Sequence, residues 1–468
     1  MSRQRSPGFK LLMTGLIGLA LCIPLLAVYA LVYDREQQSQ TAQGAITAGW
    51  GGPQVVAGPV LVVPYRAERT ENESVNGRVS TRTVTVRELL YVSPERQSVR
   101  TRLDPERRSK SIYSSVTYLA ELAGEARFRL PADLERYGVE RAALLLDEAE
   151  IRFGVSDPRG LQAAAEVRVG GEDTALQPGR GLLATSGSGF FGFVDWSGAE
   201  PLDVQWAYKL RGSQALSLVP RGGETRWQVE SAWAHPSFAG SFLPDTREVG
   251  DDGFEAAYSV SNLALGRELV TTADDGPPIM NGASADGMMI PGPAVEGARG
   301  GGGGPSMAAS VALVDPVDLY SQVDRSVKYG FLFIGFTFLA FFMFDVVGGA
   351  RVAAAEYLLT GAGLVLFFVL LLAFAELVGF TAAYLIASVA IIGLLTAYSA
   401  AVLGTWRRAG FIGAMLAGLY ALLFVLLNLE TWSLVIGSLL LFAALAGVMY
   451  ATRRIDWSSV GRGDEVEV

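Results

Sequence analysis

Two residue types that commonly carry catalytic or metal chemistry are almost missing from this chain. Its 468 residues include one cysteine, Cys22, and one histidine, His235. Because zinc sites take several Cys, His or carboxylate ligands, a multi-histidine zinc site is impossible and a site of cysteine and histidine nearly so. The sequence also lacks a Walker loop, a dinucleotide-binding glycine motif and a nucleophile elbow. We therefore predict no catalytic, cofactor-binding or metal-binding residues, and no cofactor.

Basic charge is also scarce. The formal net charge is −9, so nothing in the composition indicates a nucleic-acid surface, and we expect no nucleic-acid partner. The polar part of the chain is acidic to neutral, which disfavours simple attraction to anionic lipid. Cys22 lies inside an apolar run, so the polar part cannot contain a disulfide, and the residues before it do not fit a lipoprotein signal.

Long apolar runs are what the chain does have. A membrane helix needs about 20 predominantly apolar residues. Six stretches qualify: Leu11–Val32, Tyr329–Val347, Val352–Ala375, Phe380–Val402, Gly410–Leu427 and Trp432–Tyr450. The region between the first two alternates apolar and polar residues with period two, which is typical of strands. The fold class predicted is a polytopic α-helical membrane protein of six spans, with a large β-rich extracytoplasmic domain between spans 1 and 2.

Arginine and lysine positions predict the orientation in the membrane. Three basic residues precede the first span, which indicates a cytoplasmic N-terminus. Alternation across six spans then places the C-terminus in the cytoplasm and the β-rich domain in the periplasm. Arg325 and Lys328 are the local exception, since they lie outside the second span. A cleaved signal peptide ending near Ala30 is the alternative for span 1, but the length of the run favours a retained anchor.

Composition divides the chain into six segments. A glycine-, proline- and methionine-rich stretch without helix or strand periodicity predicts a flexible segment before the bundle. The predicted boundaries are 1–33 for the N-terminus and anchor, 34–267 for the β-rich domain, 268–310 for the flexible segment, 311–328 for the junction, 329–452 for a five-helix bundle and 453–468 for the tail.

Four titratable residues are candidates for more than a structural role. His235 could act as a general base, although a turn residue packed beside aromatics is the simpler interpretation. Asp345, Glu356 and Glu376 lie near span ends, and ionisable groups deep in a membrane often serve ion or proton pathways. These three are not deep, so pairing with Arg351 or Arg407 at headgroup level is the simpler interpretation for the first two.

Several segments together resemble the CreD family of inner-membrane proteins. The resemblance runs in order along essentially the whole chain, and its most specific part precedes and enters the second span. The segments are Trp50–Gln54, Gly58–Tyr65, Ser111–Tyr113, Tyr118, Val155–Asp157, Arg159–Gly160, Trp233–Phe238, Gly253–Phe254, Asp315–Asp318, Tyr320, Arg325, Lys328–Ile334, Phe341–Phe342 and Thr452–Trp457.

The resemblance implies an inner-membrane protein that contributes to cell-envelope integrity, often under a two-component response regulator, and it supplies no catalytic residues. This chain departs from the family in the 268–310 segment and at 353–357, where the family more often has a histidine. We therefore expect a non-catalytic envelope protein whose partners are the lipid bilayer and periplasmic, cell-wall or membrane-protein components. The alternatives are a transporter or channel formed by the bundle, and an envelope lipid or glycan enzyme that uses carboxylates.

Overall fold

The computed structural model describes residues 7–75, 78–163, 165–279, 305–314, 319–346 and 352–428, and isolated positions between 435 and 453. The chain forms two compact units. We call Met1–Gln40 with Val317–Val468 the helical unit, and Thr41–Pro316 the sheet unit. Each unit is described by itself.

Helices account for nearly all of the described part of the helical unit. In chain order, the α-helices of both units are α1 (Pro7–Trp50), α2 (Asn262–Leu265), α3 (Leu319–Lys328), α4 (Gly330–Val346), α5 (Ala354–Val378), α6 (Phe380–Leu403) and α7 (Trp406–Asn428). The short α2 belongs to the sheet unit. Among the described residues, five helical runs are long and apolar enough to cross a membrane, and they correspond to the first five predicted spans. The sixth, at 432–450, lies largely outside the described residues.

The first helix is longer than the apolar run that nucleates it. Helix α1 continues through residues 34–50, so the predicted start of the β-rich domain at residue 34 is wrong, and the first strand begins at Gln54. The polar continuation is rich in Gln and Ala, which favour helix over strand. The helix ends where Gly51, with a φ of 134°, and Pro53 interrupt the ladder.

The region predicted as a junction, 311–328, is also structured. Residues 311–313 belong to a strand, and α3 begins at Leu319, ten residues before the predicted second span. Helix α3 is amphipathic and buries Tyr320, Val323, Ser326 and Val327. A short break at Tyr329, whose amide donates to the carbonyls of Arg325 and Ser326, separates α3 from the apolar α4.

Seventeen strands make up the described part of the sheet unit. They are β1 (Gln54–Val75), β2 (Arg78–Val92), β3 (Arg96–Lys110), β4 (Tyr113–Phe128), β5 (Glu150–Val155), β6 (Glu166–Val169), β7 (Glu172–Asp173), β8 (Leu176–Pro178), β9 (Gly189–Phe193), β10 (Leu202–Ser213), β11 (Ala215–Val219), β12 (Glu224–Ser231), β13 (Pro236–Gly240), β14 (Thr246–Gly250), β15 (Gly253–Ser261), β16 (Val270–Thr271) and β17 (Ala309–Leu313).

These strands form two sheets that share one core. Sheet A has the order β13-β17-β11-β1-β5-β9-β8, with β2 on β1 and β16 on β2, and sheet B has the order β14-β15-β12-β3-β4-β10-β6-β7. Strand β10 shows why they pack together, because residues 202–210 alternate between buried and exposed. Phe153 of sheet A meets Trp206 of sheet B edge to face at 5.8 Å. The result is a β-sandwich, as aligned sheets with inward apolar faces require.

The predicted flexible segment is ordered at both ends. Strand β16 pairs with β2, and β17 pairs with β11 and β13 inside sheet A. Between them, Gly276 and Pro305 form a β-bridge, and Ser306 donates its amide to the Gly276 carbonyl. Residues 268–279 and 305–310 therefore belong to the sandwich, against the predicted boundaries. The middle of the segment, 280–304, lies outside the described residues.

Candidate functional site

The end of α1 is fixed to the sandwich through Trp50. Its indole lies between two guanidinium groups, with Arg108 Cζ 3.4 Å and Arg211 Cζ 4.4 Å from the ring centroid. The indole Nε1 donates to the carbonyl of Tyr118 at 3.3 Å. Since stacking of cations on Trp is worth about 0.5–2 kcal/mol each, these contacts hold the ring in one place.

Gln54, four residues further on, links three segments by hydrogen bonds. Its side chain is 1% exposed. The Nε2 group donates to the carbonyls of Arg211 (2.9 Å) and Asp157 (3.2 Å), while Oε1 accepts from Ser156 Oγ and from the Asp157 amide. All four hydrogen-bonding positions of the amide are used. Gly160 is required beside it, because a Cβ there would lie 2.4 Å from the Arg211 carbonyl oxygen.

A second tryptophan is held in the same way where the chain leaves the sheet unit. Trp233 Nε1 donates to the carbonyl of Val314 at 2.9 Å, and Arg107 Cζ lies 5.2 Å from its ring centroid. Val314 is the last described residue before α3, and its amide donates to the carbonyl of His235 at 3.3 Å. Trp50, near the start of the sheet unit, therefore lies beside Arg108 of the β3–β4 hairpin. Trp233, which contacts the last described residue of the unit, lies beside the adjacent Arg107.

We call Trp50, Gln54, Arg108, Arg211 and Trp233 the junction cluster. Its members come from four separate parts of the chain, since Trp50 and Gln54 share one segment, and the segments around three of them are among those that carry the family resemblance. The five side chains are two indoles, one amide and two guanidinium groups. Chemically, the cluster can hold and orient groups, by hydrogen bonds and by cation–π contacts, and it offers no acid, base or nucleophile.

His235 does not enter this cluster with its imidazole. The residue is exposed, and its backbone carbonyl, not its ring, makes the bond to Val314. Asp157 is closer to the cluster, and it is engaged by Arg159, whose Nη2 lies 2.8 Å from the carboxylate. That hydrogen bond holds the pKa of Asp157 below its usual range. Within the described ranges, no group of three or more His, Cys, Asp or Glu could hold a metal ion.

The buried carboxylates of sheet A pair with arginines. Asp274 accepts from Arg221 Nη2 at 2.9 Å and from the Leu183 amide at 2.6 Å, and both ion-pair partners are less than a tenth exposed. Arg267 contacts Asp275 beside them. Burial, and then the neighbouring charge of Arg221, lower the pKa of Arg267 to about 10. This arrangement fixes the strand-poor stretch 268–276 over the outer face of sheet A.

Glu150 is the second such carboxylate. Its side chain is 3% exposed and lies between Arg152 and Arg180. A carboxylate that already accepts from two guanidinium groups is poorly placed to act as a general base, because the reacting group must compete with both. The carboxylates that are best shielded from water in the sheet unit thus have structural partners.

The three acids singled out in the helical unit have different environments. Glu376, at the end of α5, is 12% exposed and accepts from Tyr320 Oη of α3 at 3.3 Å, with Arg35 of α1 at 4.0 Å. Glu356 lies in the first turn of α5, where it accepts from the Ala353 amide at 2.7 Å and so closes the helix end. Asp345 lies in the last turn of α4. Of the two arginines predicted as partners for Asp345 and Glu356, Arg351 lies outside the described residues and Arg407 lies in the first turn of α7.

The apolar helices together with the sandwich define an integral membrane protein with a large domain outside its spans. The chain belongs to the CreD family, because the family described as Inner membrane protein CreD matches residues 6–458. One curated relative, Inner membrane protein CreD of Escherichia coli (strain K12), is 32% identical over 455 residues, which cover 95% of this chain and 93% of that protein. This chain is thus a multi-pass inner-membrane protein.

Solved structures add no argument about function. The M1 zinc metallopeptidase of Deinococcus radiodurans matches at 9% identity and a TM-score of 0.19, over 36% of this chain and 38% of that one. A mutant of the same enzyme matches at 8% identity and a TM-score of 0.20. Similarity this low concerns neither the overall fold nor the chemistry of this chain.

Proposed function

We propose that this chain maintains cell-envelope integrity as a membrane-anchored binding or scaffolding protein, without catalysis. The observation that carries the proposal is the junction cluster. Its residues hold both chain ends of a large sandwich by hydrogen bonds and cation–π contacts, and they offer no acid, base or nucleophile. A domain whose chain ends are held in this way suits the presentation of a binding surface. The family membership supports the same function.

We propose further that the sheet unit lies in the periplasm and that both termini are cytoplasmic. The distribution of arginines supports this orientation. Lys328 and Arg35 depart from the positive-inside rule, because this orientation puts both on the periplasmic side. Each lies beside an acid that offsets its charge, since Lys328 pairs with Asp324 at 2.6 Å and Arg35 lies 4.0 Å from Glu376. In a Cys22→Ser background, Ser197→Cys should react with a membrane-impermeant maleimide in intact spheroplasts. Ser459→Cys should react only after lysis, and the reverse pattern would overturn the orientation.

The functional test is envelope permeability in a strain that lacks the chain, measured with detergent, β-lactams and a small dye. Complementation compares the full chain, an anchored version ending before Tyr329, and an Asp345/Glu356 double substitution. We expect the anchored version to restore the barrier when it accumulates normally. An intact barrier in the deletion strain would contradict the integrity function, and turnover of an envelope lipid or glycan by purified protein would contradict the absence of catalysis.

A transporter or channel is the second candidate, and one feature of the helical unit favours it. Thr337, Thr360, Ser399 and Tyr420 are at most 2% exposed, and their hydroxyls make no hydrogen bond among the described residues. Buried hydroxyls between membrane helices can line a polar route. Flux of an ion or solute in reconstituted liposomes, reduced by Thr360→Val and Ser399→Ala, would favour this candidate, and absence of flux would remove it.

A further inference from the structure

The outward face of sheet B is a broad charged surface in which opposite charges lie in cross-strand rows. One row places Glu230, Arg102, Glu121 and Lys209 directly across β12, β3, β4 and β10. Arg102 Nε is 4.0 Å from Glu230, and Lys209 contacts Glu121. The pKa of Glu121 is lowered by this hydrogen bond from Lys209. In this row each charged side chain therefore lies beside one of opposite sign.

Two adjoining rows break that pattern. One aligns Arg100, Ala123, Ala207 and Glu166, and the other aligns Ser98, Glu125, Gln205 and Arg168. The alanines separate Arg100 from Glu166 by three strand spacings, or about 14 Å, which is too far for an ion pair. Among the described residues, Arg100, Glu125 and Glu166 make no side-chain hydrogen bond or ion pair. Arg168 alone is paired, to Asp173 at 2.8 Å.

The small residues open a trough between these charges. Ser98, Ala123 and Ala207 form its floor, and Arg100, Glu125 and Glu166 stand along it. We call it the alanine trough. Its volume is about 280 Å³, close to the lower end of the range for small-molecule sites, roughly 300–1,000 Å³. Gly124 and Trp206 lie under the floor, where the indole covers the glycine, so the floor rests on the packed core.

We propose that the alanine trough binds a short zwitterionic peptide. A carboxylate at one end would accept from Arg100, and an ammonium group at the other would donate to Glu166. At about 3.4 Å per extended residue, about three or four residues span the distance between the two charges. Gln205 of β10, one row away, lies on a strand between those of the two charges and offers a polar amide to the peptide groups. The proposal rests on the proposed function, because it names the ligand class of a binding domain.

Peptides with both charges exist as free oligopeptides and as stem peptides of the cell wall, and the shared chemistry is what the trough recognises. The two sources differ in linkage. We therefore choose two probes: the tripeptide Ala-Glu-Lys with ordinary α-linkages, and L-Ala-γ-D-Glu-L-Lys. The third probe is Ala-Glu-Lys with an acetylated N-terminus and an amidated C-terminus, which lacks the terminal charges.

The experiment measures binding of these probes to the full chain in lipid nanodiscs by isothermal titration calorimetry. We expect one of the free tripeptides to bind, and capping to weaken binding about tenfold, the sum of two solvent-exposed charge contacts. Arg100→Ala and Glu166→Ala should each weaken binding about threefold to fivefold. Ala207→Leu should abolish it, because the side chain would fill the floor.

Arg102→Ala is the matched control, since it removes an arginine of the same strand and face from the self-neutralised row. It should leave binding unchanged. Equal loss in Arg102→Ala and Arg100→Ala would overturn the proposal, because it would show attraction by the whole face. No binding of either free tripeptide, or binding that Ala207→Leu leaves intact, would overturn it as well.

The same variants separate this proposal from the proposed function. If purified protein binds no tripeptide but the deletion strain is leaky and the full chain repairs it, the trough proposal falls and the envelope function stands. If the protein binds a tripeptide through Arg100 and the deletion strain has an intact barrier, the site stands and the envelope function falls. Folding of each variant is checked by near-ultraviolet circular dichroism, so a lost signal is not mistaken for lost binding.

Discussion

The sheet unit and the helical unit differ in how their buried polar side chains are paired, although each leaves some buried hydroxyls without a hydrogen-bond partner among the described residues. In the sheet unit, Gln54 uses all four of its hydrogen-bonding positions and Asp274 accepts from two separate elements. In the helical unit, Thr337 and Thr360 are buried, and their hydroxyls have no hydrogen-bond partner among the described residues. The sheet unit thus fixes its buried segments by polar contacts to named partners.

The helical unit relies instead on close packing between helices at small residues. A Cβ on Gly361 of α5 would lie 2.0 Å from Leu21 Cδ1 of α1, and one on Gly363 would lie 2.8 Å from Leu395 Cδ2 of α6. Small residues at such positions let helices approach closely in a membrane, where apolar burial provides little drive. The comparison therefore predicts that polar and core changes damage the sheet unit most, and that added bulk damages the helical unit most.

Phe153→Ala should have the largest effect. The ring is 1% exposed and stacks on Phe190 at 4.8 Å between the sheets. Loss of burial and the resulting cavity should lower the free energy of unfolding of the sheet unit by about 3–5 kcal/mol. Phe193→Ala is the control, because Phe193 is half exposed, and it should cost far less. Urea titration of tryptophan fluorescence measures both, and equal losses would contradict the assignment of the core.

Asp274→Ala should come next. It leaves Arg221 buried with Asp275 as its remaining partner, so we expect a loss of about 2–4 kcal/mol. The double change Asp274→Leu with Arg221→Met should be milder, because it removes both charges together. The same urea titration applies. A double variant that is less stable than Asp274→Ala would show that the pair itself stabilises the fold.

Gly361→Ile tests the helical unit. The added side chain would force Leu21 away, and overpacking of this kind costs about 1–3 kcal/mol. Gly393→Ala is the control, since nothing lies within 4 Å of a Cβ at that position. Thermal aggregation in detergent reports the difference. If both variants aggregate at the temperature of the parent, close packing of α1 on α5 is not what holds the bundle.

The smallest effect is confined to alkaline pH. Burial, and then the hydrogen bond that its hydroxyl donates to Glu88 at 2.7 Å, raise the pKa of Tyr65 to about 12. Because the folded pKa exceeds the unfolded value, this stabilisation is complete below about pH 10 and is lost as pH rises towards 12. Tyr65→Phe should therefore flatten the fall in stability over that window. An unchanged slope would mean that Tyr65 titrates normally.

Much of the architecture follows from periodicity. The alternation in β10 and the apolar run of α5 predict a strand and a span, because each pattern repeats within a single element. Counting apolar residues does not detect the continuation of α1 to Trp50, because many of the helix-forming residues there are polar. Amphipathic α3 is missed for the same reason.

The junction cluster could be predicted only in part. Trp50 and Gln54 stand in a segment that carries the family resemblance, but the stacking partners, Arg108 and Arg211, lie on strands that alternate like their neighbours. Their pairing depends on the register of β3, β4 and β10, which is set by the whole sheet. The alanine trough also depends on register. Ala123 and Ala207 have no distinctive sequence pattern, and only the pairing of β4 with β10 places them side by side.

The bridge between Gly276 and Pro305 has a consequence for how this protein can change. The two backbones already meet at this bridge. If the interval between them is flexible, as its composition predicts, each doubling of its length adds only about 0.6 kcal/mol of closure entropy. Homologues are therefore free to vary in length at this point without disturbing the sandwich. For the experimentalist, the same interval is a place to graft an epitope or a fluorescent reporter into a membrane protein that otherwise offers few safe insertion points.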